Sequence, residues 1–164
     1  VSREPEATLH TVVRALEQAG QRGVILANGW AEHHAGELIG AGVMLVGSLP
    51  HEWLFPRMAA LVHHGGAGTT GTGLAAGVPA VVVPFFGDQA FWGERLRGAG
   101  VSPPAIPHHR LNVESLAAAI RAATSDSRFR ERAAALGEAI RVEDGVARAV
   151  EVIERIGTAR KGLA

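Results

Sequence analysis

Residues 63–74 read HHGGAGTTGTGL, set between a short apolar run at 60–63 and a helical stretch at 69–76. Gly65, Gly66 and Gly68 carry no Cβ, so a ligand can approach their backbone closely, and the amides that open the following helix point outward with the positive end of its dipole. The hydroxyls of Thr69 and Thr70 add neutral donors. Together these groups suit a diphosphate held without a lysine. A glycine-rich turn that only packs a helix close to a sheet reads the same way, and both readings stay open. A P-loop would require Lys followed by Ser or Thr after its last glycine, and the stretch holds no lysine. Gly66, Gly68 and Gly71 satisfy G-x-G-x-x-G, but a dinucleotide site wants that pattern after the first strand and an acid at the tip of the next. Here it follows a later strand, and the next one runs into Pro84.

A second cluster, PFFGDQAFW from Pro84 to Trp92, starts where the strand at 80–83 ends. In doubly wound sheets ligands bind at that edge, which sends Asp88 and Gln89 into the same crevice as the 64–70 loop. Asp accepts while Gln both donates and accepts, a pair suited to vicinal sugar hydroxyls. The plainer reading makes Asp88 the N-cap of a helix over 88–98. Trp30, Phe85, Phe86 and Trp92 are candidates to wall the site or to join the core. The histidine pairs at 33–34, 63–64 and 108–109 do not predict a metal, because neighbours on a strand point to opposite faces.

These residues need a frame. Short Val/Ile/Leu runs at 23–27, 43–46, 60–63 and 80–83 are too brief for helices and read as buried strands, with 101–106 as a fifth disturbed by Pro103 and Pro104. Helical spacing covers 6–19, closed by Gly20, a broken stretch over 51–59, then 69–76, 88–98, 113–123, 127–141 and 144–156. On the last of these, Val146, Val150, Ile153 and Ile156 share one face. The alternation predicts an α/β fold, a Rossmann-like parallel sheet flanked by helices, with residues 1–164 forming one domain. All strands are expected in one sheet. The first recognisable element is a helix, so a leading strand is expected upstream, and its absence would leave a central slot or a free edge that a second copy could pair with in a homodimer.

Composition narrows the partners. Lys plus Arg equals Asp plus Glu at 16 each, so no net positive field gathers nucleic acid, and no apolar run reaches the roughly 20 residues of a membrane span. The chain has no cysteine, which excludes thiol chemistry and fits a cytoplasmic location. It begins at Val1 without a leader segment, which reads as a piece of something longer.

HHGGAGTTGTGLAAGVPAVVVPFFGDQAFW, preceded by SLPHEWLFPRMAALV, resembles the C-terminal domain of GT-B inverting glycosyltransferases, in particular the sterol 3-beta-glucosyltransferases and their bacterial relatives. The likeness extends to Gly29-Trp30, Pro50-His51 and the run Glu143 to Ala147. It implies that His64, with Gly65, Gly66, Gly68, Thr69 and Thr70, holds a diphosphate. It implies that Asp88 and Gln89 meet the hexose, and that Ser48, Leu49, Pro50 and His51 receive the base. The plant secondary-product box has Trp where this chain has Ser48 and Glu where it has Thr72, which leaves UDP and dTDP both open. The substrate implied is a nucleotide-sugar, UDP-glucose or a dTDP-sugar, with no cofactor or metal. The resemblance assigns no catalytic residue to this chain, because it places the base in an N-terminal acceptor domain. A stand-alone nucleotide-sugar-binding module and a nucleotide-sugar epimerase are the rival readings.

Overall fold

The computed structural model describes residues 5–26 and 42–161. Helix α1 (Pro5–Ala19) leads into β1 (Gly23–Leu26), and β2 (Val43–Val46) into α2 (His51–Leu54), which tightens into a 3₁₀ turn at Phe55–Arg57. Then come β3 (Leu61–His63), α3 (Ala67–Ala75), β4 (Ala80–Val82) and α4 (Gln89–Gly98). A 3₁₀ turn at His108–Arg110 precedes α5 (Val113–Ser125), α6 (Ser127–Val142) and α7 (Gly145–Lys161). The α/β alternation and the parallel pairing follow the sequence reading. Gly29, Trp30, His33 and His34, all singled out in the sequence, lie outside the described residues.

The expectation of a single sheet requires correction. Among the described residues β1 pairs in parallel with β2, and β3 with β4, as two separate two-stranded ladders. The two pairs meet through side chains instead: Val24 and Leu26 of β1 pack on the cluster of Leu54, Phe55, Leu61 and Val78. The fifth strand is also corrected. Residues 101–106 reach β4 through two bonds, from Ala80 N to the Val101 carbonyl and from Ile106 N to the Val82 carbonyl. Between them Pro103 and Pro104 have no N–H to donate, so no ladder forms.

β4 is the centre of the core because both its faces are covered. Side chains alternate along a strand. Val81 faces the cluster of Ala15 and Leu16 of α1 with Leu116, Ala117 and Ile120 of α5, whereas Ala80 and Val82 face Leu96, Val101 and Ala133. Small residues let the helices approach: a Cβ at Gly137 of α6 would stand 2.8 Å from Gly77 Cα and from the Leu74 carbonyl oxygen. Arg141, one turn further on, donates to the Ala75 carbonyl at the C-terminus of α3, where a cation is favoured. Helix ends follow local chemistry. Gly20 adopts φ +67° after α1, and Asn112 with Ser115 forms a reciprocal capping box at the start of α5. Val146, Val150, Ile153 and Ile156 of α7 remain exposed. Among the described residues, no helix is long and apolar enough to cross a membrane.

Candidate functional site

Segments that follow β3 and β4 meet through Gly65 and Gln89, and a third, following β2, approaches them at His51. The first begins with His63, the last residue of β3, whose carbonyl accepts from Val83 N at 2.9 Å. The chain then turns through Gly65 at φ +88°, a conformation open to glycine and strained for other residues. Gly66 stands at the N-cap of α3 and contributes no side-chain cap. The first intrahelical bond runs from Thr70 N to the Gly66 carbonyl, so the amides of Ala67, Gly68 and Thr69 open the helix without an i−4 partner. Nothing lies within 4 Å of where a Cβ on Gly68 would stand, which leaves room for a ligand at that turn. His64 is exposed and folds over the turn, since a Cβ on Gly66 would collide with its Nε2.

The two threonines separate. Thr69 is half-buried at the helix start, while Thr70 is 2% exposed with its Oγ1 buried and bonded to no protein group. Helical phase explains this: Thr70 and Gly73 occupy the inward face of α3, and Gly68 and Gly71 the open one. Thr72 donates back to the Gly68 carbonyl at 3.1 Å.

The second segment is the turn at 84–89. Gln89 is 6% exposed, and its Oε1 accepts from Phe85 N at 2.8 Å and Phe86 N at 3.2 Å. Its oxygen therefore shapes the turn, leaving only the amide NH2 for a ligand. Asp88 stands at the cap position of α4, but its backbone is already helical and its side chain makes no cap bond. The plain N-cap reading fails for that reason. Its Oδ2 accepts instead from the indole Nε1 of Trp92 at 2.9 Å. Phe85 stacks on His108 at 4.3 Å, and His108 N donates to the Pro84 carbonyl, so this turn is braced from the 3₁₀ turn beyond it. Phe86 is 71% exposed and is not a core residue.

The third segment runs from Ser48 to His51. Ser48 and Pro50 are not buried, Leu49 packs on the Leu54–Phe55 cluster, and His51 stacks on Phe55 at 4.4 Å. His51 also lies near enough to act electrostatically on His63. Gly65 ties the first two segments: a Cβ there would stand 2.8 Å from the Gln89 carbonyl oxygen and from Val82 Cγ1. Among the described residues, no three His, Asp or Glu side chains converge as a metal site requires.

Sequence reasoning missed the roles of two residues. Trp92 fixes the Asp88 carboxylate, a relation the i, i+4 spacing on one helix already permits. His63 accepts the Gly65 amide on its Nδ1 at 3.0 Å, which no spacing rule announces. Burial, reinforced by the charges of His64 and His51, lowers the His63 pKa from 6.5 to about 4. The folded value lies below the unfolded one, so the neutral imidazole contributes stability that is complete above pH 6.5 and is lost as pH falls toward 4. At about 1.4 kcal/mol per pKa unit, the loss approaches about 3 kcal/mol. Denaturant unfolding measured from pH 7 to pH 4 should show this decline, and His63→Asn should flatten it.

Comparisons with known proteins bear on the family and the fold. The family described as erythromycin biosynthesis protein CIII-like, C-terminal domain, matches residues 16–155. Sterol 3-beta-glucosyltransferase UGT80B1 of Arabidopsis thaliana is 42% identical over 155 residues, covering 93% of this chain and 25% of that protein. Among solved structures, glycosyltransferase VinC in complex with dTDP superposes with a TM-score of 0.65 at 29% identity, over 76% of this chain and 33% of its own. CalG4, the calicheamicin glycosyltransferase, gives a TM-score of 0.72 at 26% identity, over 87% of this chain and 38% of its own. The chain thus spans about a quarter of the Arabidopsis relative and about a third of these structures.

Proposed function

The chain belongs to the erythromycin biosynthesis protein CIII-like C-terminal domain family, and from that premise we propose that it binds the nucleotide-sugar donor of a GT-B glycosyltransferase. The observation that carries the proposal is the α3 N-terminus: three amides without helical partners, an open edge at Gly68 and the His64 imidazole over the turn. In this reading the amides of 67–69, the Thr69 hydroxyl and His64 take the diphosphate. Neutral donors and a helix dipole would stabilise the negative charge that builds on the nucleoside diphosphate as the bond from the sugar's anomeric carbon to the diphosphate oxygen breaks. Asp88, held by Trp92, accepts from hexose hydroxyls, and the Gln89 NH2 donates to them. Ser48 to His51 lie beside the turn, where the base would rest. No metal or cofactor is needed in this reading.

The similarity to sterol 3-beta-glucosyltransferases supports glucose as the hexose and an apolar alcohol as the acceptor, and the dTDP complex of VinC keeps dTDP-sugars beside UDP-glucose. The whole protein would transfer the hexose with inversion, using a base in an N-terminal acceptor domain. A cytoplasmic location goes with the cysteine-free chain.

Titration of the full-length protein with UDP and with UDP-glucose separates phosphate contacts from sugar contacts. A hydrogen bond lost to a buried polar partner costs about 1–3 kcal/mol, and only for a ligand that carries the partner. Asp88→Asn should weaken UDP-glucose by that amount and leave UDP nearly unchanged, whereas Thr69→Val should weaken both. Equal loss of UDP and UDP-glucose in Asp88→Asn would remove Asp88 from the sugar site. If neither ligand binds the unaltered protein, and dTDP and dTDP-glucose do not bind either, the proposal fails.

A further inference from the structure

Resting on the donor-binding reading, we propose that His63 is the positioning residue of the diphosphate turn: its imidazole Nδ1 clamps the Gly65 amide and thereby holds the 64–70 loop in register with the 84–89 turn. Several contacts lead to this assignment. The His63 backbone is fixed at the end of β3 by the bond from Val83 N to its carbonyl, so the imidazole projects from a rigid strand end. Its Nδ1 accepts from Gly65 N at 3.0 Å, across a turn that only a positive φ closes. Gly65 is buried and seated against the Gln89 carbonyl, and the Gln89 Oε1 in turn holds the Phe85 and Phe86 amides. One imidazole thus anchors a chain of contacts running from the phosphate turn to the sugar turn. Acceptance at Nδ1 requires that nitrogen to be unprotonated, which leaves Nε2–H as the proton-bearing atom of the neutral ring. The burial that disfavours the imidazolium maintains this form at neutral pH, with His51 and His64 acting in the same direction.

The clamp makes a specific demand on side-chain geometry. In Asn the Oδ1 occupies nearly the place of the His Nδ1, one bond beyond Cγ, so His63→Asn preserves the acceptor. In Gln the acceptor is displaced by one further bond, and Leu has none. Without the acceptor, a buried Gly65 N–H loses its partner, a loss that corresponds to roughly tenfold in an equilibrium between closed and open turns. The test uses the full-length protein and two readouts. Amide hydrogen exchange at Gly65, measured without nucleotide, should speed up roughly tenfold in His63→Leu and His63→Gln and remain close to wild type in His63→Asn. Titration should show the Leu and Gln variants weakening UDP and UDP-glucose by the same factor, because the turn rather than a sugar contact is disturbed, with binding retained in His63→Asn. Should His63→Leu not fold, the Gln and Asn pair supplies the same comparison. Unchanged Gly65 exchange in a folded Leu or Gln variant would overturn the clamp, as would an Asn variant no better than Gln. Because the exchange readout needs no ligand, failure of the unaltered protein to bind nucleotide would count against the donor-binding reading while the exchange data still judge the clamp.

Discussion

Gly65→Ala should lower the unfolding free energy by about 2–5 kcal/mol and abolish nucleotide binding with it. Two costs add. A side chain at φ +88° incurs the left-handed penalty of about 1–2 kcal/mol. Its Cβ would also stand 2.8 Å from the Gln89 carbonyl oxygen and from Val82 Cγ1, an overpacking that costs about 1–3 kcal/mol. Neither neighbour can retreat easily. Val82 is fully buried in β4, and Gln89 is tied to the Phe85 and Phe86 amides at the start of α4. Relief therefore comes from moving the 64–66 turn outward, which carries His64 and the first amides of α3 away from the 84–89 turn. Thermal unfolding and a UDP titration on one preparation check both halves, and a stable variant that binds UDP normally would show that the turn tolerates this movement.

Leu116→Ala should match that loss of stability yet leave nucleotide affinity unchanged in the folded fraction. Leu116 of α5 is fully buried among Ala15, Leu16, Val81 and Ile120, where α1 and α5 close over one face of β4. Truncating a leucine to alanine in a packed interior costs about 2–5 kcal/mol, transfer and cavity terms together. The alanines around it limit how far the helices can collapse into the space, which favours the upper part of that range. The proposed ligand groups follow the carboxyl ends of β3 and β4, whereas Leu116 packs on Val81, on the opposite face of β4 from Val82. Denaturant unfolding with a parallel UDP titration distinguishes the two variants: both lose stability, and only Gly65→Ala loses the site. A weakened UDP affinity in folded Leu116→Ala would mean that the core and the crevice are coupled through β4.

Much of this is legible in the residues. The strands at 43–46 and 80–83 are marked by runs of Val, Met, Leu and Ala too short for helices, and the structure places them at Val43–Val46 and Ala80–Val82. The helix ends agree within a few residues where a cap or a glycine stands, as at Gly20 and Asn112. The glycine-rich turn lies between a strand and a helix because Gly65, Gly66 and Gly68, so closely spaced, permit little else there. The fifth strand is a harder case, since an apolar run with two prolines satisfies the pattern but cannot supply the ladder.

Residue type and spacing determined the α/β alternation, the place of the glycine-rich turn and the list of polar groups near it, because period, glycine freedom and capping act over a few residues and leave local marks. The tertiary structure decided how those groups are used. Thr70 turns inward and Thr69 stays at the helix start, a matter of the phase of α3 against the core. The Gln89 oxygen faces its own turn, Asp88 answers to Trp92, and His63 answers to Gly65. The split of the strands into two pairs likewise depends on which edges find hydrogen-bond partners. Side-chain direction and edge pairing arise from contacts between segments far apart in the chain, and a one-dimensional pattern names the partners without their geometry.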